Sequence, residues 1–120
     1  MKFIKTNINT ADKKDVYRMT KSESLKIQDI EKGTSFPIDK YAVYEEEKTR
    51  KKNDGTTENY TETVLTFVSG NMKLGTISAT FIRSFMEIIE IMEDEPFAIV
   101  ITGGKSNNGR EYVNCELDCN

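Results

Sequence analysis

Apolar positions along the chain change their period several times, and each change marks an element. Phe36, Ile38, Tyr41, Val43 and Tyr44 fall within residues 34–47, an aromatic and β-branched stretch that predicts a strand. Pro37 has no N–H to give to a ladder, so it belongs at the start of that strand or at an edge. Val64, Leu65, Phe67 and Val68 predict a second strand over 60–68, and a third follows over 72–77 after the turn Ser69-Gly70-Asn71. Residues 48–59 between the first two strands contain no aliphatic side chain and carry Asn53-Asp54-Gly55. Asp-Gly between strand-like runs predicts a hairpin, because the turn needs positive φ.

Ser78 and Thr80 are candidate N-caps for a helix in which Phe81, Ile82, Phe85, Met86, Ile88, Ile89, Ile91 and Met92 are apolar. Arg83, Glu87, Glu90 and Asp94 form its single polar stripe, so the helix plugs a core, and Pro96 ends it. The apolar run 97–101 predicts a fourth strand, 103–110 a polar loop, and 111–118 a fifth strand. In the fifth strand Val113, Cys115 and Leu117 face one side, and Tyr112, Asn114, Glu116 and Asp118 the other. Residues 1–30 hold no sustained pattern. They read as an N-terminal arm or a short extra strand or helix, with 7–15 irregular, Val16-Tyr17-Arg18-Met19 a short strand, and a turn or short helix from Ser22.

Three strands, one helix and two strands over residues 31–120 is the order of the OB-fold, a mainly β, five-stranded barrel with one helix between strands 3 and 4. In that fold the strand 1–2 and strand 4–5 loops flank the ligand face. Those loops carry the basic residues here: Lys48, Arg50, Lys51 and Lys52 in the first, Lys105 and Arg110 in the second.

Composition narrows the function. The 120 residues include no histidine, which excludes Ser-His-Asp and Cys-His nucleophiles and His-containing zinc sites. The 2 cysteines supply neither a four-cysteine zinc site nor a disulfide framework. No run reaches the roughly 18–20 apolar residues of a membrane span, and the N-terminus shows no secretory signal, so a cytoplasmic protein is expected. Gly103-Gly104-Lys105-Ser106 lacks the earlier glycine of a phosphate loop and opens onto a strand, so no enzyme, metal or cofactor is expected. The net charge of −3 argues against nucleic acid only if charge is uniform. Residues 1–60 hold 13 basic and 11 acidic side chains, residues 61–120 hold 4 and 9, and the acids concentrate on the helix.

Lys40-Tyr41-Ala42-Val43-Tyr44, the segment Thr76 to Phe85 (TISATFIRSF) and the segment Gly103 to Tyr112 (GGKSNNGREY) together resemble the small single-stranded DNA-binding proteins of phages and mobile elements of Gram-positive bacteria. The resemblance spans about residues 32–117. It implies an OB-fold, single-stranded DNA as ligand, and a role in DNA replication or recombination in the host cytoplasm, with replication or recombination proteins as further partners. A homo-oligomer, dimer or tetramer, is expected because one small barrel offers a short site.

Single-strand binding needs cations along the phosphates and flat side chains against the bases. Lys48, Arg50, Lys51, Lys52, Lys73, Lys105 and Arg110 are the candidate cations, against the plainer alternative of a solvated hairpin tip. Tyr112, an aromatic on the polar face of its strand, is the first stacking candidate, followed by Tyr44 and Tyr60 flanking the basic hairpin. Tyr41, Phe67, Phe81, Phe85 and Phe97 read as core. Cys115 and Cys119 lie roughly 13 Å apart on an extended strand, too far for a disulfide. Two alternatives share the fold: a phage-encoded protein-interaction module that inhibits a host protein, using the acidic helix, and an RNA-binding protein.

Overall fold

The computed structural model describes residues 1–105 and 107–120. The aromatic stretch after Gly33 is divided by a corner into Ser35–Pro37 (β3) and Lys40–Lys51 (β4). At that corner successive residues bond to different parts of the molecule. The Ile38 N–H donates to the Phe97 carbonyl at 3.0 Å and the Asp39 N–H to the Val68 carbonyl at 2.9 Å. Asp39 Oδ2 also accepts from the Gly70 N–H at 2.7 Å, which fastens the corner to the next turn.

β3 pairs with Ala98–Lys105 (β7), and β7 with Glu111–Leu117 (β8), in a three-stranded antiparallel sheet. β4 lies between Lys2–Thr6 (β1) and Thr57–Ser69 (β5) in a second sheet, which continues through Met72–Thr76 (β6) to Leu25–Lys26 (β2). Helix α2, Ala79–Met92, begins where Ser78 Oγ accepts from the Phe81 N–H at 3.3 Å. α2 touches β5 and β8 and buries Phe81, Phe85, Ile88 and Ile89 between the sheets. Phe85 stacks on Phe67 with ring centroids 6.0 Å apart and meets Tyr41 edge-on at 5.7 Å. Filling this core are β-strand positions of one parity: Tyr41, Val43, Leu65, Phe67, Ile99, Ile101, Val113 and Cys115. Cys115 and Cys119 are both free thiols.

The other face of the large sheet carries a smaller core that the sequence pattern did not predict. Lys13–Thr20 is a helix (α1), not an irregular segment followed by a strand. Asp12 caps it by accepting from the Lys14 and Asp15 N–H groups. Val16, Met19 and Thr20 then fall on one face at helical spacing, and Met19 and Val16 pack with Ile8, Ala42 and Tyr44. The buried Thr66 hydroxyl donates to the Met19 carbonyl at 2.7 Å and ties α1 to β5. Alone, eight residues would not hold a helix in water; the sheet supplies the missing packing.

The expected architecture of five strands in a barrel with one helix is therefore met only in its coarse form. The chain is mainly β, with eight strands in two sheets and two helices among the described residues, and the sheets do not close into a barrel. The reason is local. The outer edge of β6 is taken by β2 in parallel register, Leu25 against Leu74 and Lys26 against Gly75. A 3-10 turn, Ile27–Asp29, follows and touches both β6 and β8, with the Ile27 side chain wholly inside the core. A side chain thus fills the gap where a ladder between β6 and β8 would close the wall. Among the described residues no helix is long and apolar enough to cross a membrane.

Candidate nucleic-acid interface

Strand pairing decides which of the candidate cations act together. β4 and β5 are in register from Lys40 opposite Val68 to Lys51 opposite Thr57, so the expected long basic loop is mostly ladder. Only residues 52–56 turn. There the Lys52 N–H bonds the Thr56 carbonyl at 2.8 Å, and Asp54 Oδ1 accepts from both the Thr56 N–H and hydroxyl. Those two bonds hold the Asp54 carboxyl below its ordinary value.

The same register brings acidic side chains against the cations of the hairpin. Arg50 stands opposite Glu58, with Nε 3.2 Å from Oε2. Lys48 Nζ lies 2.8 Å from Glu62 Oε1, and that hydrogen bond raises the ammonium pKa above its ordinary value. Glu46 faces Glu62 across the ladder, and the pair is tolerated because Lys21 Nζ holds Glu46 at 2.9 Å while Lys48 holds Glu62. Lys51 and Lys52 are exposed at the tip. Tyr60, opposite Lys48, carries the Arg50 guanidinium 4.8 Å above its ring. Lys48, Arg50 and Tyr60 thus share the outer face of the sheet, the face on which α1 also lies.

Two candidates are placed elsewhere. Tyr44 is buried, only 3% exposed, under α1, and its ring meets Phe3 edge-on with centroids 6.1 Å apart. Burial pushes its phenol up to about 12. It is a core residue and not a surface for bases, because its position in β4 shares the parity of Ala42 beneath the helix. Lys73 is half-buried, and its Nζ donates to the Ser22 carbonyl at 2.7 Å and to the Ser22 hydroxyl at 3.1 Å. Desolvation lowers its pKa, and the side chain straps β6 to the exit of α1 instead of joining the hairpin cations.

Lys105, Arg110 and Tyr112 belong to the β7–β8 hairpin of the smaller sheet, and Ser106 lies outside the described residues. Lys105 faces Glu111 in register. Tyr112 is 48% exposed and lies over Gly104, its cross-strand partner. The adjoining Gly103 has no room for a side chain: a Cβ there would strike the Tyr112 carbonyl oxygen and come within 2.6 Å of Lys32 Cε. Lys32 is thereby brought beside Gly103 and the Tyr112 backbone, and the sequence offered no signal for that.

A groove of about 500 Å³ runs along the outer face between the β2 segment and the β4–β5 hairpin. Its floor is Val64, Thr66 and Gly75, and Lys26, Gln28, Lys48 and Glu62 stand on its rim with the exposed Leu25 and Ile77. A second groove, also about 500 Å³, lies across β5 on the α2 side, lined by Thr61, Thr63, Ile82 and Arg83 and meeting the first at Ile77. None of these groove residues except Lys48 stands out in the sequence, because they converge from segments far apart in the chain. Among the described residues no cluster of three or more Cys, Asp or Glu side chains could hold a metal ion. Comparison with protein-family models, with curated proteins and with solved structures finds no match for this chain.

Proposed function

We propose that this chain is a sequence-tolerant single-stranded DNA-binding protein on an opened OB-type barrel, acting in replication or recombination of phage or mobile-element DNA. The observation that carries the reading is the outer face of β4, β5 and β6. There a long open groove is rimmed by Lys26 and Lys48 and continues to the Arg50–Tyr60 pair. A strand can lie along it with phosphates on the lysines and bases against flat or apolar side chains. The connectivity supports the fold. β3 and β4 together act as one strand shared by both sheets, β5 and β6 follow as a meander, α2 precedes β7, and β8 completes the order. Tyr112, on the hairpin that also carries Lys105 and Arg110, offers a further stacking position. The work is done by occupancy: a bound strand is protected and cannot fold on itself, and no bond is made or broken.

The test is fluorescence anisotropy with a labelled oligothymidine. Binding at low salt that weakens steeply as salt rises is expected, since each neutralised phosphate releases counterions; no binding at low salt refutes the reading. Oligouridine in the same assay separates DNA from RNA preference, and molar mass with and without oligonucleotide gives the oligomeric state. A second reading, a protein-interaction module, draws on α2, where Ile91 is 74% exposed beside Glu87, Glu90 and Asp94.

A further inference from the structure

The outward face of α1 consists of Lys13, Lys14, Tyr17 and Arg18, followed by the C-cap Lys21, all exposed. Tyr17 is 62% exposed and Arg18 69%. Neither packing nor helix stability accounts for Lys13, Lys14 and Tyr17, whereas Arg18 Nη1 lies 3.5 Å from Asp15 Oδ1 and Lys21 holds Glu46. Val16 and Met19 pack on the sheet, and the Met19 and Thr20 carbonyls accept from the Thr66 and Tyr44 hydroxyls. Lys13 and Lys14 stand in the first turn, where the helix dipole disfavours cations. The one acid within the helix, Asp15, is shared between Arg18 and Lys40, whose Nζ it meets at 3.0 Å, and its side chain is only 16% exposed. Among the described residues Lys13 and Lys14 form no ion pair. The surface therefore presents cations interleaved with one aromatic ring, the chemistry that holds a phosphate backbone and stacks a base.

The C-terminal end of α1 borders the groove. α1 crosses the sheet above Thr66, a floor residue of the groove, and its exit runs through Ser22 to Ser24 and Leu25 on the rim. Lys21 continues through Glu46 to the ladder that carries Glu62 and Lys48.

We propose that α1 is a second contact surface for the same single strand. A strand leaving the groove passes onto α1, where Tyr17 stacks a base and Lys13, Lys14 and Arg18 hold phosphates. The inference rests on the reading of the chain as a single-strand binder and adds a surface outside the barrel. It makes the bound length longer than the groove alone provides.

The experiment compares short and long oligothymidines, about 6 nucleotides, near the lower end of the roughly 4–16 that one OB unit covers, and about 20, beyond its upper end. The protein is used as the full chain with Lys13→Gln, Lys14→Gln and Arg18→Gln combined, and separately with Tyr17→Ala. Lys21 is kept because it holds Glu46. The triple variant should lose affinity for the long oligonucleotide and lower its salt slope by about 2, at about 0.7 per phosphate contact on single strands. Tyr17→Ala should bind the long one about fivefold more weakly or worse, the lower end of about 1–3 kcal/mol per stacked base. Both should bind the short one like the parent. Parent-like binding of the long oligonucleotide overturns the inference and leaves the single-strand reading standing. Equal loss on both lengths also overturns it, since an effect on the fold or on the groove itself would do that. A parent protein that binds neither length overturns both.

Discussion

Replacing Glu58 and Glu62 by glutamine should tighten single-strand binding and make it more salt-sensitive. In the parent, Arg50 Nε is 3.2 Å from Glu58 and Lys48 Nζ 2.8 Å from Glu62, so a phosphate must compete with a carboxylate for each cation. Such exposed pairs contribute about 0–1 kcal/mol each, so removing both acids leaves the fold in place. Loss of Glu62 also relieves its opposition to Glu46. If competition costs about 0.5 kcal/mol per pair, the double variant binds about fivefold tighter at low salt. Two more cations on phosphates steepen the salt dependence by about 1.4 in log–log slope, which is about a sevenfold larger loss of affinity between about 50 and 200 mM salt. Anisotropy titrations of labelled oligothymidine at three salt concentrations read both quantities, with thermal melts to verify folding. Unchanged affinity and slope would remove the hairpin's outer face from the strand's path. Weaker binding would refute the competition argument, since it would mean that the carboxylates hold the cations in place for the ligand.

Tyr44→Ala should behave as a core truncation, costing about 3–5 kcal/mol. At ~2.1 cal/mol/K per residue over 120 residues this is a fall in Tm of about 12–20 °C, with single-strand affinity unchanged where the protein is folded; a parent-like Tm with weakened binding would return Tyr44 to the surface. Tyr112→Ala should weaken binding about fivefold or more and change stability by no more than about 0.5 kcal/mol, so unchanged binding would remove it as a stacking residue. Burial pushes the Cys115 thiol from 9.0 up to about 12. The folded state therefore keeps a proton that the unfolded chain loses, and this stability is fully present below pH 9.0 and lost as pH rises toward 12. Urea denaturation across that window should show stability falling with pH, less steeply in Cys115→Ala; the same slope in both proteins would exclude Cys115 as the cause.

Much of the architecture was legible from local pattern. α2 was visible because its apolar positions repeat at helical spacing between a capping serine and Pro96, and β8 because its side chains alternate strictly. Both patterns arise within one element, from burial on one face, and no distant contact can hide them. α1 was not legible: its apolar face is only Val16, Met19 and Thr20, and its helix exists because Ala42, Tyr44 and Thr66 of other strands complete the packing. The separation into two sheets was equally hidden, since nothing near Leu25–Lys26 announces that it will occupy the edge of β6.

The candidate site divides in the same way. By itself the sequence determined that the cations of residues 48–52 lie on a hairpin, that Tyr112 points away from the core, and that no histidine chemistry exists. Only the tertiary structure decided which charges remain available and which tyrosine is exposed. Register across β4 and β5 sets Glu58 opposite Arg50 and Glu62 diagonal to Lys48, and Tyr44 and Tyr60 both point to the outer face, where α1 covers Tyr44 and leaves Tyr60 half-exposed. Charge and burial at a strand position depend on what stands opposite and above it, and those neighbours come from residues far away along the chain.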